Sequence, residues 1–206
     1  MSSSKSFLTT DGKVLNQEFW DHLYKVHDTG WDVGRVSPPL KEYIDTLINK
    51  DISILIPGCG NSYEAEYLMQ LGFTNVTIID IAPTLVEHLR EKFKENANVK
   101  IMEGDFFDHE GKYDLILEQT FFCALPPIMR IQYALKVHQL LKENGILAGL
   151  LFNKIFEDCP PFGGTQKEYE MLFGENFHIL KMELCQNSIP KRANNELFVE
   201  LLKKEN

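Results

Sequence analysis

Apolar and polar positions alternate along this chain with two different periods. "ISILIP" (52–57), "VTIIDI" (76–81), "VKIMEG" (99–104), "YDLILEQ" (113–119) and "GILAGLLF" (145–152) are short, apolar and bounded by turn residues, as strands are. Between them lie segments at helical spacing: one from Ser62, one from Thr84 to about Asn96, and one from about Ile128 to Lys142. Ahead of the first strand, "NQEFWDHLYKVHDTGWDVGRVSPPLKEYI" is rich in aromatics. In it Phe19, Leu23 and Val26 recur at helical spacing until Gly30, and Pro38 and Pro39 open a second helix through Leu47. This alternation predicts an α/β fold, a parallel sheet wound on both faces. The near-continuous apolar runs "ISILI" and "ILAGLLF" suit central strands covered on both sides.

Beyond Phe152 the pattern changes. "NKIFEDCPPFGG" reads as a loop, "TQKEYEMLFG" as a short helix, and "FHILKMEL" and "LFVELLKK" as strands. Their connector, "CQNSIPKRANNE", is too short for a helical crossover, so the two should pair as an antiparallel hairpin. No repeat or linker divides the chain, which predicts one domain over residues 1–206.

Composition narrows the function. At 206 residues and 44% hydrophobic, the chain has material for a substantial core. A net charge of −9 argues against nucleic acid and against an anionic membrane surface, since neither gains by counterion release from an acidic partner; a small-molecule ligand fits better. The start "MSSSKSFLTTDG" lacks the order of a signal peptide and no apolar run approaches the roughly 20 residues of a membrane span. The expectation is a cytoplasmic monomer. Cys59, Cys123, Cys159 and Cys185 are scattered, without a C-x-x-C pair, and are expected to be reduced and mostly buried. His22 and His27 would stand about 140° apart on a helix, so no metal site is predicted.

The chemistry centres on "LIPGCGNSYEAEYL" (55–68), the first strand-to-helix turn and hence the place where a doubly wound sheet holds its ligand. Gly58 and Gly60 let the backbone approach a ligand closely, although a lone Gly-x-Gly is also an ordinary tight turn. Asp80 ends the second strand 20 residues after Gly60, where a carboxylate accepts both ribose hydroxyls of an adenosine. Asp105 ends the third, where it could accept from the adenine amino group or simply cap a helix. Position 63 is Tyr where a dinucleotide turn has its last glycine, and no P-loop lysine follows. An adenosine ligand without phosphates, S-adenosylmethionine, suits this turn best.

"FWDHLYKVHDTGWDVGRVSP", "LIPGCGNSYEAEYL", "IIDIAP", "EGDFFD", "YDLILEQTFFCALPPIMRIQYA" and "PPFGGTQKEYEMLFG", in that order, resemble the thiopurine S-methyltransferase family, most closely its thiol and halide methyltransferase branch. The resemblance runs from about Phe19 to Gly174. It implies a class I, Rossmann-like methyltransferase fold of seven strands, with S-adenosylmethionine as donor and S-adenosylhomocysteine as product. By the same resemblance Trp20, Tyr24 and Trp31 close over the donor, and Gly58, Asp80, Asp105, Phe106 and Gln119 form its cradle, while Arg130 borders the acceptor. Tyr24 and Gln119 stand where the halide branch carries Trp and Tyr.

Methyl transfer is an in-line displacement, so the enzyme must align a nucleophile with the leaving sulfur and exclude water. Aromatic faces attract and cover a sulfonium, though Trp20 could equally pack the N-terminal helix. Phe121 and Phe122 follow the fourth strand and are expected to border the pocket, with core packing as the alternative. The first 40 residues and "FEDCPPFGG" are the expected lids. No Ser-His-Asp order or paired-carboxylate motif offers a general base, and "ALPPIM" lacks the polar first and aromatic last residues of the Asn-Pro-Pro-Tyr motif of base-methylating enzymes. That suits a thiol, thiopurine, halide or thiocyanate acceptor. The other readings are a small-metabolite O- or N-methyltransferase, an adenosine-ligand sensor without turnover, and an NAD-dependent oxidoreductase.

Overall fold

A computed structural model describes residues 14–156 and 160–205. Five strands, β1 (Ile54–Pro57), β2 (Val76–Asp80), β3 (Val99–Glu103), β4 (Tyr113–Gln119) and β5 (Leu141–Phe152), run parallel. Strands β6 (Phe177–Leu184) and β7 (Glu196–Lys203) form the expected hairpin, and β7 inserts antiparallel beside β5. The order across the sheet is β3-β2-β1-β4-β5-β7-β6. Every residue of β1 and β2 is buried, as central strands covered on both faces require.

Helices α2 (Pro38–Asp45), α3 (Tyr63–Gln70) and α4 (Pro83–Lys92) cover one face, where Leu40, Ile44, Leu68 and Leu89 pack on Ile54, Ile56 and Ile78. On the other, α5 (Arg130–Leu140) and α6 (Gln166–Gly174) bring Tyr133, Val137, Tyr169 and Phe173 against Leu55, Ile116 and Leu147. The first helix, α1 (Gln17–Lys25), starts on an Asn16 cap that accepts from Phe19 N at 3.0 Å. It docks end-on to α4, which has no cap of its own: the buried Asp21 Oδ1 accepts from Thr84 N at 2.8 Å, and Lys25 balances the carboxylate at 2.6 Å.

Several ends differ from the sequence expectation. Helix α1 stops at Lys25 because His27 takes a left-handed φ of 57°, which leaves Val26 beyond the helix and 52% exposed. The second helix ends at Asp45 rather than Leu47, and α4 at Lys92 rather than near Asn96, where Asn96 N instead closes a turn on Phe93 O at 2.8 Å. Ile128 lies in a 3-10 turn ahead of α5, and Leu141 is already extended and paired with Tyr113, so β5 begins four residues before "GILAGLLF". The fully buried Leu141 side chain takes its place in the sheet core.

Cys59, Cys123 and Cys185 are unpaired and buried; Cys159 lies outside the described residues. Among the described residues no group of His, Cys, Asp and Glu could hold a metal ion, and no helix is long and apolar enough to cross a membrane.

Gly149 lies beside Glu118 across the β4–β5 pair, and a Cβ there would fall 2.3 Å from Glu118 Cβ and 2.6 Å from its carbonyl oxygen. Both strands are central, so neither can yield cheaply. Gly149→Ala is expected to destabilise the protein by about 1–3 kcal/mol, the cost of overpacking a filled core. Urea unfolding should show a lower midpoint at unchanged slope, and an unchanged midpoint would mean that the sheet relaxes freely.

Candidate active site

Strands β1 and β4 are neighbours whose following segments cross to opposite faces, and the crevice at their carboxyl ends is where such sheets hold ligands. A cleft of about 1240 Å³ opens there. Its floor is Pro57-Gly58-Cys59-Gly60, with left-handed φ of +52° at Gly58 and +50° at Gly60. The turn is tied to β2 twice: Cys59 N donates to Ile79 O at 3.2 Å, and Gly60 N to Asp80 Oδ2 at 3.2 Å. The other Asp80 oxygen accepts from Ala82 N at 3.0 Å. This buried carboxylate is held by backbone amides without a cation, and burial raises its pKa.

Phe121 forms the opposite wall. A Cβ on Gly58 would fall 2.2 Å from its ring, so the glycine is what lets ring and turn meet. The backbone reaches this position through Thr120 at φ 62°, held by Glu118, which is fully buried at the end of β4. Glu118 Oε1 accepts from Phe121 N and Phe122 N, both at 2.8 Å, and Oε2 from the Tyr133 hydroxyl at 2.8 Å. Burial pushes Glu118 up to about 7 against the pull of those three donors.

The roof comes from the N-terminal segment. Trp31 meets Trp20 and Tyr24 edge-on, each at 5.8 Å between ring centres, and all three line the cleft. Trp20 and Tyr24 also pack on the core beneath, so Trp20 has both a face on the cleft and a packing contact. Burial, then the nearby Asp80 charge, raises the Tyr24 phenol well above its ordinary range. Asp32 ties the segment to the turn, accepting from the Asn61 amide and from the Tyr63 hydroxyl.

Gly58, Gly60, Asp80, Asp105, Phe106, Gln119 and Phe121 also line the cleft. Asp105 Oδ1 caps the following 3-10 turn through Phe107 N at 2.8 Å, and Gln119 Oε1 accepts from the Ser37 hydroxyl at 3.1 Å. Two expected residues lie elsewhere. Phe122 is 1% exposed in the core against Tyr133 and Tyr169, while the neighbouring Phe121 ring also meets Tyr133 but keeps a face on the cleft. Arg130 lies over the rings of Phe122 and Tyr169 and donates to Gly163 O at 2.6 Å, pinning the loop before α6 instead of lining the cleft.

Glu118 and Arg192 were not singled out from the sequence. The only signal for Glu118 was an acid following the apolar run "LIL" in a strand, and Arg192 lies in a connector with no periodicity.

A model of the thiopurine S-methyltransferase (TPMT) family matches residues 15–205. The chain belongs to this family. A probable thiol methyltransferase 2 of Arabidopsis thaliana is 34% identical over 158 residues, covering 73% of this chain and 69% of that protein. Thiocyanate methyltransferase 1 of Brassica oleracea is 28% identical over 191 residues (89% and 84%), and thiopurine S-methyltransferase of Vibrio vulnificus (strain YJ016) 26% over 200 (87% and 92%). Among solved structures, a 1,6-didemethyltoxoflavin-N1-methyltransferase of Burkholderia thailandensis, crystallised with 1,6-didemethyltoxoflavin and S-adenosylhomocysteine, matches with a TM-score of 0.73 at 16% identity. That match covers 91% of this chain and 86% of the other and shows a shared fold. The family member described here is an S-adenosylmethionine-dependent methyltransferase.

Because the folded pKa of Glu118 lies above its unfolded value, its contribution to stability is full below about pH 4.5 and lost as the pH rises through about 7. Glu118→Gln keeps an acceptor for the two amides but cannot titrate. Its stability relative to the parent is therefore expected to improve by on the order of 2–3 kcal/mol between pH 5 and pH 9. Urea midpoints at both pH values measure this, and a constant difference would show that Glu118 does not titrate there.

Proposed function

We propose that the protein transfers the methyl group of S-adenosylmethionine to a small soft nucleophile, a thiol first and a halide or thiocyanate second. The observation that carries this reading is the cleft wall that follows β4, which we take as the acceptor side. Among the described residues from Gln119 to Met129, with Phe152, Pro160, Pro161 and Arg192, the titratable side chains lining it are Cys123 and Arg192, while His22, Asp28, Asp105 and Asp108 line the cleft elsewhere. Cys123 Sγ donates to Thr120 O and burial raises its pKa; Arg192 is paired with Glu196. Neither is a general base. A thiol ionised in solution and a halide need none, whereas an alcohol would.

The donor side suits an adenosine without phosphates. Asp80 offers acceptor capacity for ribose hydroxyls, and a cluster of aromatic rings lies above the turn. The donor supplies a methyl group made electrophilic by its sulfonium. Trp20, Tyr24 and Trp31 cover the cationic sulfur and keep water out; Gly58 and Gly60 bring the backbone close, with Asp105, Phe106 and Gln119 completing the cradle. Phe121 presents a flat apolar wall to the nucleophile. Alignment is then the main source of rate. Of the expected N-terminal lid, residues 1–13 lie outside the described residues, and residues 14 to about 40 act as the lid. The proposal includes a cytoplasmic monomer with no nucleic-acid partner, the last supported by the net charge of −9.

Asp80→Ala should weaken donor binding by about 1–3 kcal/mol, the range for hydrogen bonds to a charged group, in calorimetric titration of a folded variant. Unchanged affinity would remove Asp80 from the donor site.

The pH dependence of kcat/KM tests the base-free mechanism. For two thiols of different acidity the apparent pKa should follow each thiol, while iodide should give a nearly flat profile between about pH 6 and 9. Glu118 titrates within that window, so the profiles are taken in parent and Glu118→Gln alike. A step shared by thiols and iodide that Glu118→Gln abolishes belongs to the cleft wall. One that persists would reveal an essential base and end the proposal.

A further inference from the structure

The three cleft-covering rings are tethered from two directions. Asp21 on Thr84 N and Asp32 on Asn61 and Tyr63 hold the N-terminal segment to the donor half of the sheet. The third tether comes from the acceptor half. Arg192, 8% exposed in the connector between β6 and β7, donates from Nη2 to the main-chain carbonyl of Trp31 at 2.9 Å. Its Nη1 lies 3.2 Å from Glu196 Oε1, and its guanidinium carbon is 5.5 Å from the centre of the Phe152 ring. Glu196, 3% exposed, has its own backbone locked to Cys185 N at 2.9 Å, and Arg192 N closes a turn on Ile189 O at 2.8 Å. The guanidinium therefore has a rigid base on one side and a carbonyl from the segment over the cleft on the other.

We infer that Arg192 is a positioning residue that latches Trp31 over the cleft, so that closure of the lid depends on the β6–β7 connector as well as on the donor half. The inference rests on the proposed reading of this segment as the donor's lid. A planar fork suits the task, because one side chain must satisfy a buried carboxylate and a carbonyl in different directions at once. A lysine ammonium on the same stem holds the carboxylate but does not reach both. Removing the cation alone would strand Glu196 as an unpaired buried charge.

The chain has two tryptophans, Trp20 and Trp31, so tryptophan fluorescence, excited beyond the tyrosine absorption band, reports on the lid. Two variants serve: Arg192→Lys, which keeps a cation on Glu196, and Arg192→Met with Glu196→Gln, which removes both charges. In ligand-free protein, acrylamide quenching of tryptophan should rise in each toward the value of the unfolded chain. The dissociation constant and KM for S-adenosylmethionine should rise about ten-fold, the loss of one charge-assisted hydrogen bond, with kcat at saturating donor changed far less. In a Trp31→Ala background the same substitutions should no longer affect donor affinity, since no ring remains to be positioned. Unchanged quenching and donor affinity, with a raised KM for the thiol alone, would make Arg192 an acceptor contact and overturn the latch. Loss of donor binding by the parent protein would instead refute the donor reading, and quenching of the ligand-free protein would still decide the latch. If the double variant does not fold, Arg192→Lys carries the test.

Discussion

The close approach of the Phe121 ring to Gly58 sets the shape of everything around it. Strands β1 and β4 lie side by side, and the segments leaving them would be free to diverge if nothing held them. A side chain at position 58 would occupy the place of the ring, and a relaxed backbone at Thr120 would carry the ring away. The contact therefore needs a left-handed glycine on one strand end and a left-handed threonine on the other. Left-handed backbone at a non-glycine residue costs on the order of 1–3 kcal/mol and persists only where its surroundings over-determine it. Glu118 supplies that determination, gathering the amides of Phe121 and Phe122 on one oxygen, and Gly149 supplies the space for Glu118. Gly58 after β1, the turn from Glu118 to Phe121 at the end of β4, and Gly149 in β5 thus act as one unit across three adjacent strands.

Both carboxyl groups that organise the cleft lack a cationic partner. Asp80 and Glu118 are held by backbone amides, with Tyr133 added for Glu118. Fixed amide dipoles stabilise a buried anion less than an arginine would, so burial dominates and both are raised. The arrangement leaves their remaining lone pairs unclaimed by mobile side chains. On the proposed reading this matters for Asp80, because a carboxylate already paired with arginine would have to give up that partner to accept a ribose. Surface ion pairs such as Lys94 with Glu91 add little, being exposed and screened.

Much of this was legible in the chain itself. Continuous apolar runs marked β1 and β5, the short connector marked the β6–β7 hairpin, and the spacing from Gly60 to Asp80 put an acid beside the turn. What periodicity could not show was the direction of adjacent rings. Phe121 and Phe122 are chemically equal and both meet Tyr133, and only the fold shows that the first also lines the cleft while the second is wholly in the core. Arg130 likewise carries no mark in sequence that tells a ligand contact from a brace on Gly163. Arg192 was missed because its partners, Trp31 and Glu196, lie at very different separations: four residues for one, 161 for the other.

The polar tethers of the N-terminal segment act through its main chain at Trp31 and through the side chains of Asp21 and Asp32, not through its aromatic rings, so the faces of Trp20, Tyr24 and Trp31 that line the cleft serve as a surface. They touch one another edge-on, and only part of their apolar area is buried in the protein alone. At about 25 cal/mol per Å² the remainder is a reserve of free energy released only when something apolar or cationic fills the cleft below. Tethering lowers the entropy that closure must overcome, since the segment is already confined before a ligand arrives. On the proposed reading, the donor completes a surface that the polypeptide has arranged but left unfinished, and water is excluded as that surface is completed. A soft nucleophile then meets the methyl group in a space walled by Phe121 and roofed by indole rings, where orientation and desolvation supply the rate that a base would otherwise have to provide.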